Sequence, residues 1–120
     1  VEVEAIELDR QQRSGGSVVD PDSDKDNAAY VDSLGWVLFR RGKLEEAREQ
    51  LEKASSLPQG DDDPVVWDHL GDVYYRLKLT DKSLDSWNKA LQLYDQGVRR
   101  KSDSRYREIQ EKIRLIKATD

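Results

Sequence analysis

The chain has 120 residues, with 36% hydrophobic and 38% charged positions, enough for one compact domain or a short stack of repeats. Twenty Lys+Arg against 25 Asp+Glu give a net charge of −5, which argues against a general nucleic-acid binder, and no apolar run reaches the roughly 18–20 residues of a membrane span. Cysteine is absent, so disulfide scaffolds, thiolate zinc sites and cysteine nucleophiles are excluded.

The charge is uneven. Residues 1–30 hold eight acids and three bases, whereas residues 96–120 hold four acids and eight bases. At the start, Val1-Glu2-Val3-Glu4 alternates as a strand would, while Ala5–Asp9 also suits the end of a helix. Residues 10–26 form a polar, acidic insertion expected to be a loop. Within it Asp20, Asp22, Asp24 and Asp26 alternate as calcium ligands do. The glycine and the closing glutamate of such loops are missing: counted from Asp22, the twelfth residue is Ser33. A solvated acidic loop is the expectation, with no cofactor.

Residues 28–61 laid over 64–97 match at a constant offset of 36, through Asp32/Asp68, Leu34/Leu70, Gly35/Gly71, Val37/Val73, Arg40/Arg76, Lys53/Lys89, Ala54/Ala90 and Leu57/Leu93. Each unit reads as two helices. In the first, Val31, Leu34, Leu38 and then Leu44, Ala47, Leu51, Ala54 keep three- and four-residue spacing, with Gly42 allowing the turn between them. In the second, Asp63-Pro64 opens a helix with the stripe Trp67, Leu70, Tyr74, Leu77. Thr80-Asp81 is the expected start of the next, which carries Leu84, Trp87, Ala90 and Leu91. Small residues at Gly35, Ala47, Ala54, Gly71, Ser83 and Ala90 are expected to let paired helices approach, with Leu51, Trp67, Tyr74 and Trp87 filling the gaps. The Ser55–Asp63 stretch between units, with Pro58 and Gly60, reads as a loop. Ser102 is the predicted cap of a last helix running to about Ala118. Tyr106, Ile109, Ile113 and Ile116 form its seam, and Arg105, Arg107, Glu108, Glu111, Lys112 and Arg114 are expected to face outward.

The stretch VWDHLGDVYYRL, with Trp67, Leu70-Gly71 and Tyr74, followed by Ser83, Trp87 and Ala90, resembles the tetratricopeptide repeat family. VDSLGWVLFRRGKLEEAREQLEKA is similar, with Val31 and Leu38 in place of the usual aromatics, and its LGWVLFRRGKLEEA portion has a bacterial look. The family's period is about 34 residues, so Asp61–Asp63 accounts for two extra. The resemblance implies an all-α fold: antiparallel helix-turn-helix repeats stacked as a short right-handed superhelix, or α-solenoid, with a C-terminal capping helix. It divides the chain into 1–9 (the tail of a preceding repeat), the 10–26 insertion, unit 1 at 27–61, unit 2 at 62–97 and the cap at 98–120. The chain is then expected to belong to a longer array.

The resemblance also implies a concave groove lined by the first helix of each pair. Carried onto this sequence, the groove residues are Asp32, Ser33, Trp36, Phe39 and Arg40, then Val65, Asp68, His69, Asp72, Tyr75 and Arg76. The helical wheel places Trp36, Phe39 and Arg40 off the core stripe independently. Trp36 and Phe39 therefore either meet a partner or cover a neighbouring segment. Chaperone-binding members of the family clamp a terminal carboxylate with Lys and Asn. Asp32, Asp68 and Asp72 would repel one, and suit instead a peptide with apolar anchors and basic groups.

No catalytic constellation is visible. His69 is the one histidine, too few for a zinc site here, and neither a nucleophile elbow nor a Gly-rich phosphate loop is present. The Arg99-Arg100-Lys101 cluster lacks interleaved aromatics and reads as a solvated turn. The expected function is a non-catalytic module binding a protein or peptide partner, without nucleic acid or membrane insertion. The alternative is a structural spacer or self-association segment whose groove is filled by its own chain or a twin. Size analysis separates the two.

Overall fold

In the computed structural model, which describes residues 27–119, the chain begins with a capped helix. The Asn27 side chain accepts a hydrogen bond from the Tyr30 N–H at 3.0 Å, satisfying one of the free amides at the start of α1 (Ala28–Arg40). Val31, Gly35 and Leu38 line its buried stripe. Gly42, at φ +81°, reverses the chain into α2 (Leu44–Ser56), which buries Ala47, Leu51 and Ala54. A seven-residue connection, 57–63, leads to α3 (Pro64–Arg76). There Asp63 accepts from the Val65 N–H at 2.9 Å, and Pro64 occupies the first turn, where no amide partner is needed. The remaining helices are α4 (Thr80–Asp95) and α5 (Ser104–Thr119). Every regular element among the described residues is a helix, with no strand. The readings of residues 1–9 and 10–26, the aspartate alternation included, lie outside the described residues.

Two helix starts differ from expectation. Thr80 is the first residue of α4 rather than its cap; Leu79 holds the cap position and makes no side-chain bond there. Before α5, Asp103 performs the capping expected of Ser102. One Asp103 oxygen accepts from the Arg105 N–H at 3.0 Å, and the other from the Tyr94 hydroxyl at 3.0 Å. A carboxylate offers a separate oxygen to each of the two donors, where a serine has only one. The Arg105 amide holds the Asp103 carboxyl below its ordinary range. Burial, reinforced by Asp103, pushes the Tyr94 hydroxyl up to about 12.

The close approaches lie at the small residues. Ser83 Oγ donates to the Gly71 carbonyl at 2.8 Å, and Trp87 Nε1–H donates to the Asp68 carbonyl at 3.3 Å. Contacts that advance along α4 as they retreat along α3 make the two helices antiparallel. A Cβ built on Gly71 would fall well inside contact distance of the Trp87 indole, and one on Gly35 would lie 2.7 Å from Leu51 Cγ. Hydrogen is therefore the only side chain that fits either position without movement. Gly60 is a third such place: a Cβ there would run into the Ala54 carbonyl, so the α2–α3 connection packs directly on α2 backbone.

The core is continuous from α1 to α5. Leu38, Ala47, Leu51, Leu70, Val73 and Tyr74 pack α1, α2 and α3 together, and Val31, Ala54 and Val66 extend this contact. Trp87, Ala90 and Tyr94 pack on Ile109, Ile113 and Ile116 of α5. Trp67 is half-buried rather than central. It touches both main clusters and donates its indole N–H to the Asp61 carbonyl at 2.9 Å.

The turns within the two hairpins are equivalent at a 36-residue offset, and Lys78 stands where Gly42 does. Lys78 has φ +65°, in the left-handed region that disfavours a Cβ. Lys78→Gly is expected to stabilise the chain by about 0.5–1 kcal/mol, measured as an increase in the urea midpoint at unchanged slope. A lowered midpoint would mean that the turn is not held in this geometry.

Candidate functional site

α1 and α3 touch directly, and five of the groove residues inferred from sequence meet across that contact. At one end, His69 Nδ1 is 2.8 Å from Asp32 Oδ1. A carboxylate only accepts, so Nδ1 carries the shared hydrogen. The imidazole stacks on Trp36 (centroids 4.1 Å apart, planes at 18°), and Trp36 stacks on Phe39 (4.9 Å, 20°). The Arg76 guanidinium closes the series, 5.5 Å from the Phe39 ring centre. Asp32, His69, Trp36, Phe39 and Arg76 thus form a ladder that crosses back and forth between the hairpins. Trp36 and Phe39 are half-buried by it. They are a wall of the face as well as contact area on it.

The open aspartate rim expected from sequence is not found. Asp68 is 4% exposed and His69 8%, because α5 and α1 cover them. Lys112 Nζ bonds Asp68 Oδ1 at 2.8 Å and Asp72 Oδ1 at 2.7 Å, and Arg105 Nε lies 3.2 Å from Asp68 Oδ2. The physical reason is that a carboxylate as buried as Asp68 must be paired, and the nearest cations are on the last helix. Arg105 and Lys112, expected to point outward, therefore turn back onto α3. Burial and the charge of Asp68 raise the Asp72 carboxyl above its usual range despite Lys112. Burial works against the Lys112 ammonium, but the two carboxylates outweigh it and raise its pKa.

The remaining face is more open. Ser33, Arg40, Tyr75 and Arg76 are exposed, and Val65 is intermediate. Beside Tyr75 and Arg76 lies a depression of about 260 Å³. Phe39, Trp87 and Ile116 contribute to its apolar lining, Tyr75 and Leu115 flank it, and Asp72 and Lys112 complete it with Arg76. Tyr75 and Leu115, 49% and 51% exposed, are two of the three large apolar side chains that stand out into solvent among the described residues. Sequence reasoning missed Lys112, Leu115 and Ile116 as parts of this face. The available signal was Leu115, an apolar residue off the isoleucine seam of α5.

Among the described residues, no group of three or more His, Asp or Glu side chains is placed to hold a metal ion. No helix among them is long and apolar enough to cross a membrane. Comparison of the chain with protein-family models and with curated proteins gives no match to either.

Proposed function

We propose that the chain is a tetratricopeptide-like segment, its two hairpins and last helix stacked as a short right-handed solenoid, that binds a partner polypeptide along the α1–α3 face. The observation that carries this reading is the pairing of Tyr75 with Leu115. Two large side chains from distant parts of the sequence stand exposed on either side of one apolar depression. Exposed apolar area gathered around a concavity, with aromatic side chains that lose little entropy on contact, is the usual form of a polypeptide-binding surface. Binding rather than turnover also suits His69, whose Nδ1 is committed to Asp32 and whose ring face is covered by Trp36.

Selection of displayed random peptides against the full chain tests the proposal. Peptides that compete with one another for a single site are expected. Tyr75→Ser/Leu115→Ser should weaken them by roughly tenfold or more, on the scale of losing two apolar contacts, with the far-UV circular dichroism unchanged. Selected peptides indifferent to both substitutions would overturn it. A concentration-dependent dimer abolished by the same pair would support self-association through this face instead.

A further inference from the structure

The charges around the depression define the chemistry of what enters it. Asp68 and Asp72 are balanced by Lys112 and Arg105, all four joined through the contacts between α3 and α5. Asp32 is engaged with His69. Asp68 and Asp72 are therefore not left to attract a basic ligand, and the Asp32 carboxylate is mostly covered by its contact with His69. Arg76 is different. It is exposed, its guanidinium lies over the Phe39 ring at the edge of the depression, and no carboxylate among the described residues pairs with it. A cation–π contact uses none of the guanidinium N–H groups, so all of them remain available for bidentate recognition of a carboxylate.

Size supplies the second constraint. At about 260 Å³ the depression is smaller than the roughly 300–1,000 Å³ of sites that enclose a whole small molecule. One large apolar side chain of a longer segment suits it better. We infer that the depression takes a single bulky apolar side chain from a partner polypeptide whose adjacent residues are acidic, with an internal carboxylate meeting Arg76. This rests on the binding face proposed above and adds the chemistry of the partner, acidic where the bare sequence suggested basic.

Two N-acetylated, C-amidated heptapeptides test it, each with a central leucine, one flanked by glutamates and the other by lysines. Blocked ends remove terminal charges as a source of binding. Fluorescence anisotropy with the full chain is expected to show the glutamate peptide binding at least about tenfold tighter, with the preference shrinking as salt rises. Arg76→Glu, at an exposed position on the edge of the aromatic ladder, should reverse the order with the far-UV circular dichroism unchanged, and replacing the central leucine by serine should abolish binding of both peptides.

Tighter binding of the lysine peptide, or an order untouched by Arg76→Glu, would overturn the inference while leaving the binding face standing. Failure of both peptides at millimolar concentration would overturn it too; if peptides selected from the random library still need Tyr75 and Leu115, the face itself survives. A dimer whose formation excludes the glutamate peptide would replace the partner with a second copy, and overturn the inference as stated.

Discussion

Gly71→Ala is expected to destabilise the chain by about 1–3 kcal/mol, an overpacking cost far larger than the loss of one hydrogen atom suggests. The new methyl would collide with the Trp87 indole, itself only 2% exposed and held by its bond to the Asp68 carbonyl. Neither side can yield freely, because α5 packs on the far side of Trp87 through Ile109, Ile113 and Ile116. Trp87→Ala alone should cost about 3–5 kcal/mol, a large share of a domain's usual stability of about 5–15 kcal/mol. Combining the two removes the collision, so the double variant should be less destabilised than the sum by at least about 1 kcal/mol. Urea unfolding of the four proteins measures this. Additive effects, or a Gly71→Ala variant as stable as the parent, would mean that α3 and α4 do not approach as described.

Asp68→Ala should be the second large effect, about 1–3 kcal/mol and concentrated at α5. Removing a fully buried charge partner can cost about 3–5 kcal/mol. The expected value is smaller because Lys112 keeps Asp72 and Arg105 can reach water. Hydrogen exchange should rise along α5 more than along α1 and α2, with Asp68→Asn intermediate because its carbonyl still accepts from Lys112. A uniform rise along the chain, or none, would assign Asp68 a role other than anchoring the last helix.

The helical class was readable because it rests on local periodicity. Three- and four-residue spacing defines a buried stripe wherever the chain is helical, and the Asp63-Pro64 start needs only neighbours in sequence. The small and large positions were readable for a related reason: packing two hairpins alike demands size complementarity twice, and the 36-residue offset displays it. What sequence did not disclose depends on tertiary placement. Gly60 looks like any loop glycine until its approach to the Ala54 carbonyl is seen. The left-handed backbone of Lys78 is local by contrast, and its register with Gly42 in the repeat is the signal for it.

The candidate face shows the same division. Asp68 is His69's neighbour in sequence, but adjacent residues on a helix point in different directions, and the partner of His69 is Asp32, 37 positions away. Lys112 meets Asp68 across 44 positions. No periodicity encodes such a pairing, so the aspartates read as an open acidic rim when they are a neutralised contact. Leu115 is the counter-example, since its position off the apolar seam of α5 was visible throughout.

If the α1–α3 face, completed by α5, holds another polypeptide, the contact should be visible residue by residue in solution. Backbone amide shift mapping of the full chain during titration with a selected peptide tests it most directly. Saturable shifts are expected at Phe39, Asp72, Tyr75, Arg76, Lys112 and Leu115, with α2 and the outer side of α4 silent. Shifts confined to α2, or spread without saturation, would contradict it.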